Sequence, residues 1–299
     1  MGILKNLTEE YFGNTTREED LIDIHDLNVE IVSFTDNNGK FHKRGYKPKD
    51  KDTLKELLKR MIKVKGDEGD FNDIDTSDIE SMQFLFNYNE TFNGNITGWN
   101  VSSVIDMSGM FYGAESFNQP IGNWKFPKVE KMTGMFCDAK SFNQDISKWK
   151  FPKVIYMRSM FYNATSFNQD ISKWKFPNVT DMSSMFSGAT SFNQPIGDWK
   201  FPKVENMKFM FYGAKSFNQP IGGWKFPNVE NMEYMFSVAT SFNQDISKWK
   251  FPKVKDMNRM FYNATSFNQD LSKWDLKGKN KTEIFNGCPI KKEYKPKMK

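Results

Sequence analysis

The apolar positions of this chain recur every 25 residues. All eight tryptophans keep that spacing, from Trp99 and Trp124 through Trp149, Trp174, Trp199, Trp224 and Trp249 to Trp274. Phe117 to Phe267, each followed by Asn, and Val104 to Val254 run in the same phase. Met–Phe pairs such as Met110-Phe111 and Met135-Phe136 add a fourth column. A slip-free period over eight units is the mark of stacked structural repeats, in which one unit cannot bury its apolar face alone but neighbours can.

The stretch Ile146 to Met157 shows the expected unit. Its apolar residues Ile146, Trp149, Phe151, Val154 and Met157 are spaced much like a leucine-rich repeat. Trp149 and Phe151 are two apart, which predicts a short strand with both rings on one face and Lys148 and Lys150 on the other. Val154, Met157, Met160, Phe161 and Ala164 follow at spacings of three and four, which predicts a helical or turn-forming stripe. Pro152 suits its entry. The expected fold is therefore an α/β repeat solenoid of leucine-rich type, with one short parallel strand and one short helical or 3-10 segment per 25 residues. The Asn after each Phe is expected to bond free backbone groups where the chain turns. Tyr112, Tyr162, Tyr212 and Tyr262 alternate with Cys137, Ser187 and Ser237, as if a two-repeat block had been duplicated.

The pattern also divides the chain. Residues 1–45 hold a hairpin signal, Val29 to Phe34 and Lys40 to Arg44 around Asp36-Asn-Asn-Gly39. Residues 46–74 read as an amphipathic helical cap, with Leu54, Leu57, Leu58, Met61 and Ile62 on one face, running into a first rung at Ile74. Residues 75–274 carry eight repeats. Residues 275–299 form a cap, with Ile284-Phe285 as a decayed Met–Phe pair, and a basic tail.

Composition narrows the function. Aromatic residues make up 16%, too many for a disordered chain. Two cysteines, Cys137 and Cys288, and two histidines imply neither a disulfide framework nor a Cys/His zinc site. The acidic run Asp70 to Asp78 lacks the Gly and terminal Glu of a calcium loop, so no metal and no cofactor are expected. There is no G-x-S-x-G, P-loop or H-E-x-x-H motif, and His25 and His42 both lie outside the repeats, so no enzyme is expected. The weaker alternative is an active site within residues 1–46. No run of 18 apolar residues predicts a membrane span. The N-terminus lacks an apolar leader, and Asn6 spoils the myristoylation pattern begun by Met1-Gly2, so a cytoplasmic or virion-associated protein is favoured over a secreted one.

The run Val179-Thr-Asp-Met182-Ser-Ser-Met185-Phe186-Ser-Gly-Ala-Thr-Ser-Phe192-Asn193-Gln-Pro-Ile196-Gly-Asp-Trp199 resembles the BspA-like surface-protein repeats, also called DUF285 or the bacterial surface protein 26-residue repeat. The resemblance covers about residues 71–290. It implies a leucine-rich-repeat-like fold and a cell-surface, adhesion-type role. Here the period is 25, and Lys replaces the family's acidic residue after Trp in most units.

Charge points to a face. Residues 1–124 sum to about −9 and residues 125–299 to about +14 by formal count. Lys125, Lys150, Lys175, Lys200, Lys225 and Lys250 follow Trp in six consecutive units, and Lys148, Lys173, Lys248 and Lys273 precede it. All ten are expected to point away from the core, on the concave strand face, where they either form a solvated surface or await an acidic protein or anionic glycan. Nucleic acid fits poorly, because the aromatic side chains point inward and leave no platform for bases. A structural protein that associates with itself and takes no ligand is the alternative.

Overall fold

A computed structural model describes residues 22–297 of the 299. The Met1-Gly2 terminus lies outside the described residues. Strands β1 (Val29–Thr35) and β2 (Phe41–Pro48) form an antiparallel hairpin. Its turn is closed by Asp36, whose carboxylate accepts from the backbone N–H groups of Asn38 and Lys40. Helix α1 (Lys51–Lys65) begins later than the apolar pattern alone predicts, because Asp50 caps it by accepting from the Thr53 N–H at 2.9 Å. Leu54, Leu57, Leu58 and Met61 face inward and close the first end of the core.

Beyond α1 the chain is a stack of 25-residue turns. Its unit is not the expected strand plus helix. Among the described residues the repeats contain only tight turns and isolated parallel bridges. The bridges form one column from Ser81 through Asp106, Lys131, Tyr156 and Asp181 to Asn280. They fall in the Met-x-x-Met-Phe segment, where a helix was expected, and not at Trp-Lys-Phe, where a strand was. In one turn, the N–H groups of Met107, Gly109, Phe111 and Gly113 donate to carbonyls 24 residues ahead, at 2.8–2.9 Å. Met110, Tyr112 and Ala114 donate locally to the carbonyls three residues back. Successive three-residue turns line up apolar residues on one side much as a helix does, so the sequence stripe reads the same for both. What excludes the helix is the backbone sign. Gly109 and Gly113 have φ of 60° and 69°, and the matching places in other turns hold Ser159 (56°), Asn163 (52°), Phe209 (58°) and Arg259 (52°). Two left-handed residues four apart in each turn cannot belong to a right-handed helix. It fits a type II turn, which needs positive φ at its third residue.

The interior is a set of ring ladders. Phe111, Phe136, Phe161, Phe186, Phe211, Phe236 and Phe261 stack one above the next at 5.4–5.7 Å between centroids. The Phe117 to Phe267 ladder is spaced at 5.8–6.1 Å. The Trp149–Trp174, Trp224–Trp249 and Trp249–Trp274 pairs stand 6.2–6.4 Å apart. The Phe126–Phe151 and Phe151–Phe176 pairs stand 6.3–6.4 Å apart. The turns therefore fan out, closest along the bridged column and widest at Trp-Lys-Phe-Pro. Trp149 and Phe151 face inward in strand-like alternation, and no bridge forms at their segment.

Polar columns finish each turn. Asn118 accepts through its side-chain oxygen from the Asn143 N–H at 2.9 Å and from the Gln144 amide at 3.1 Å. The same Asn to Asn bond recurs in successive turns up to Asn268, which takes the Lys291 N–H. Trp149, Trp174 and the tryptophans after them donate their indole N–H to the isoleucine carbonyl 28 residues back, at 3.0–3.2 Å. Trp124 is buried with its indole N–H unpartnered. The last turn is one residue shorter: Asp256 bridges Asn280, and Phe285 stacks on Phe261 at 5.7 Å, which accounts for the phase slip of Ile284-Phe285.

Candidate anion-binding face

Trp, Lys and Phe alternate in and out at every repeat. Trp149 and Phe151 are buried, and Lys148 and Lys150 on either side of Trp149 are exposed. The alternation holds throughout, so all ten lysines singled out above lie in solvent: Lys125, Lys148, Lys150, Lys173, Lys175, Lys200, Lys225, Lys248, Lys250 and Lys273. They sit along the wide side of the stack.

Four other lysines of the stack are ion-paired, and these ten are not. Lys131, Lys140, Lys208 and Lys255 each pair with an acidic residue one turn away: Asp106, Glu115, Glu233 and Glu230. Lys203 and Lys253 donate to Asn178 and Asn228 one turn earlier. Among the described residues no ion pair joins any of the ten to a carboxylate. The acids nearest in sequence, Asp145, Asp170, Asp245 and Asp270, are engaged elsewhere. Asp145 accepts from the Ser147 N–H at 2.9 Å, and the other three repeat that bond with Ser172, Ser247 and Ser272. Hydrogen bonds from those serines hold all four carboxyls below the usual carboxylate range, and the neighbouring Lys148, Lys173, Lys248 and Lys273 add a smaller electrostatic pull. The acids thus cap turns and leave the lysine charge largely unmatched.

The wide spacing opens shallow grooves between turns. One of about 390 Å³ is lined by Lys150, Lys173 and Lys175 with Pro152, Pro177 and the edge of Phe151. A second, of about 410 Å³, lies at Lys250 with Pro252, Lys277 and Lys279, and there Asp275 stands in place of the lysine that follows Trp in the turns before. A chain of negative charges laid along this side would meet an ammonium at each turn, over a floor of proline and the edges of buried rings.

A family model described as "Mycoplasma protein of unknown function, DUF285" matches residues 53–164, 148–238 and 199–295. The chain belongs to this family. The matches begin inside α1 and run into the last turn, so the cap and the whole stack are family features, and the hairpin β1–β2 precedes them. No curated protein and no solved structure matches the chain.

The remaining chemistry-bearing groups are structural or occluded. His42 meets Asp36 at 3.0 Å, both buried, beneath the hairpin turn. Burial comes first in pushing the Cys137 thiol up to about 12, and Cys288 is raised for the same reason. In the Asp70 to Asp78 run, Asp70 takes the Asn72 N–H, Asp73 meets Lys65 at 2.8 Å and Asp75 takes the Ser77 N–H. No helix among the described residues is long and apolar enough to cross a membrane.

What the sequence left unread is the bridged face. Phe84, Tyr88, Tyr156, Tyr162 and Tyr212 are exposed there. The tyrosine alternation was visible in the sequence, but only as a trace of duplication. Which of its rings reach solvent depends on the left-handed turns, which no apolar pattern reports.

Proposed function

We propose that this chain is a non-enzymatic binding protein that presents its lysine columns to an extended polyanion, an anionic glycan or an acidic protein segment. The observation that carries this reading is a run of exposed ammonium groups at successive turns: the ten lysines flanking the tryptophans make no ion pair, whereas Lys131, Lys140, Lys208 and Lys255 each meet an acid one turn away. Like charges stacked about 6 Å apart repel by roughly 1 kcal/mol or less per pair in water. A fold under no other demand would place acids between them, as it does one column away. Kinship to leucine-rich-repeat solenoids and an adhesion-type, surface-exposed role extend the family membership by analogy of apolar spacing and repeat type. The absence of catalysis is part of the same proposal: among the described residues both thiols are held protonated by burial, and His42 is committed to Asp36.

The test replaces Lys150, Lys175, Lys200 and Lys225 by Glu and follows retention on immobilised heparin and on polyglutamate. Retention of the native chain that falls with salt and is lost in the variant supports the proposal. Equal retention of the two overturns it. Light scattering on the same pair separates the rival reading, because a change in oligomer size would assign this face to self-association.

A further inference from the structure

The bridged face carries an array that the lysine reading does not use. Tyr112, Tyr162, Tyr212 and Tyr262 occupy one column at every second turn, and Cys137, Ser187 and Ser237 fill the turns between. The small residues are buried and the tyrosines are half-buried or exposed. A depression opens between Tyr112 and Tyr162, whereas Tyr234 and Arg259 bridge the space from Tyr212 to Tyr262 with further ring surface. Phe136 to Phe161, one turn, is 5.6 Å, so successive rings stand roughly 11 Å apart. Most are propped by a neighbour. Tyr112 meets Tyr88 edge-on at 5.1 Å, Tyr212 meets Phe209 edge-on at 5.6 Å, and the Arg259 guanidinium lies 5.8 Å from the Tyr262 ring. Rings held in this way lose little freedom when a ligand covers them.

The depression between Tyr112 and Tyr162 measures about 600 Å³, within the range of small-ligand sites. Its floor is Gly109, Gly134 and Cys137, and Asp106, Lys131 and Thr133 stand at its edge. The lining thus offers flat apolar rings with both acceptors and donors, and Lys131 and Asp106 already neutralise each other at 3.5 Å. From this we infer that the tyrosine column binds a linear, uncharged polysaccharide, with sugar rings laid on the tyrosine faces and hydroxyls reaching the polar groups between. A polymer with its own regular repeat can meet an evenly spaced array at several rings at once. A folded protein surface without repeats has no such period, a second copy of this chain would show as a change in oligomer size, and an anion would be repelled by Asp106 as much as drawn by Lys131.

The site shares no lining residue with the lysine grooves, so the two proposals fail independently. The experiment titrates the full chain with cellohexaose, xylohexaose and chitohexaose by calorimetry in 0.5 M salt, which silences the lysine face. Binding of at least one hexaose is expected. The double variant Tyr112→Ala, Tyr162→Ala should weaken it roughly tenfold or more, and Tyr112→Phe, Tyr162→Phe should retain it, with the lysine-to-Glu variant unchanged. No heat with any of the three at millimolar sugar, or equal binding by the alanine variant, overturns the inference. Binding that the lysine-to-Glu variant abolishes also overturns it, by moving the sugar to the other face. A thermal melt of each variant shows that the stack is intact.

Discussion

The two long sides of this stack are built from the same turns and follow different rules. Along the bridged side the rungs are 5.4–5.7 Å apart, the backbone is bonded from turn to turn, and the outward residues change at each step. Gly109, Gly134, Ser159, Ser184, Phe209, Tyr234 and Arg259 occupy a single column there. Along the Trp-Lys-Phe-Pro side the rungs are 6.2–6.4 Å apart, no bridge forms, and the outward residue after Trp is lysine six times running. Backbone bonds hold the geometry of the first side whatever its side chains are, so those side chains are free to vary. The second side is held by side chains, through ring packing and the tryptophan N–H bonds to isoleucine carbonyls, and its sequence is uniform.

If that contrast is correct, the core should be least forgiving where the rungs are closest. Phe161→Ala removes a ring stacked between Phe136 and Phe186 and should cost about 3–5 kcal/mol, read by urea unfolding. Phe151→Ala should cost less, because its ladder neighbours are farther away. Equal losses would strip the spacing difference of energetic meaning. Asn168 belongs to neither side. Its side-chain oxygen takes the Asn193 N–H and the Gln194 amide, and Asn168→Ala should cost about 1–3 kcal/mol by leaving both short of a partner.

A smaller effect isolates the backbone. Gly213 has φ of 64° and open space where a Cβ would go, so Gly213→Ala should cost about 1–2 kcal/mol with no packing change. A neutral result would show that the left-handed places on the bridged side carry no strain. The smallest effect belongs to the turn-capping acids. The folded-state pKa values of Asp145, Asp170, Asp245 and Asp270 are depressed, so their contribution is whole above about pH 4, the unfolded value, and is lost as pH falls through the folded one. Melting temperatures from pH 5 down to pH 2.5 should decline less steeply in the fourfold Asp→Asn variant, in which Asp26, Asp36 and Asp50 still titrate.

Much of the stack is legible in the residues and its hydrogen-bonding mode is not. The 25-residue period, the inward Trp, Phe, Val and Met columns and the outward lysines all follow from spacing, because burial is periodic in sequence. The amphipathic cap around Leu54 to Met61 follows in the same way. The unit's backbone does not. Met157, Met160 and Phe161 present the same stripe from a helix or from a run of turns, and only the sign of φ at Ser159 and Asn163 separates them. Glycine marks those places in some turns, but Ser, Phe, Tyr and Arg stand there in others and hide the signal. The difference in ring spacing between the two sides appears only once the rings are stacked.

The Asn ladder has one further consequence. Each Asn side chain reads only the turn beside it, at a fixed offset of 25 residues, so nothing in the stack records how many turns there are. Fifty residues could be removed or added as a cassette and every remaining joint would be the same. Length is then a free parameter of this architecture: the number of turns sets how many lysines and how many tyrosine steps a partner meets, and a polymer lying along either side is measured in multiples of the rung.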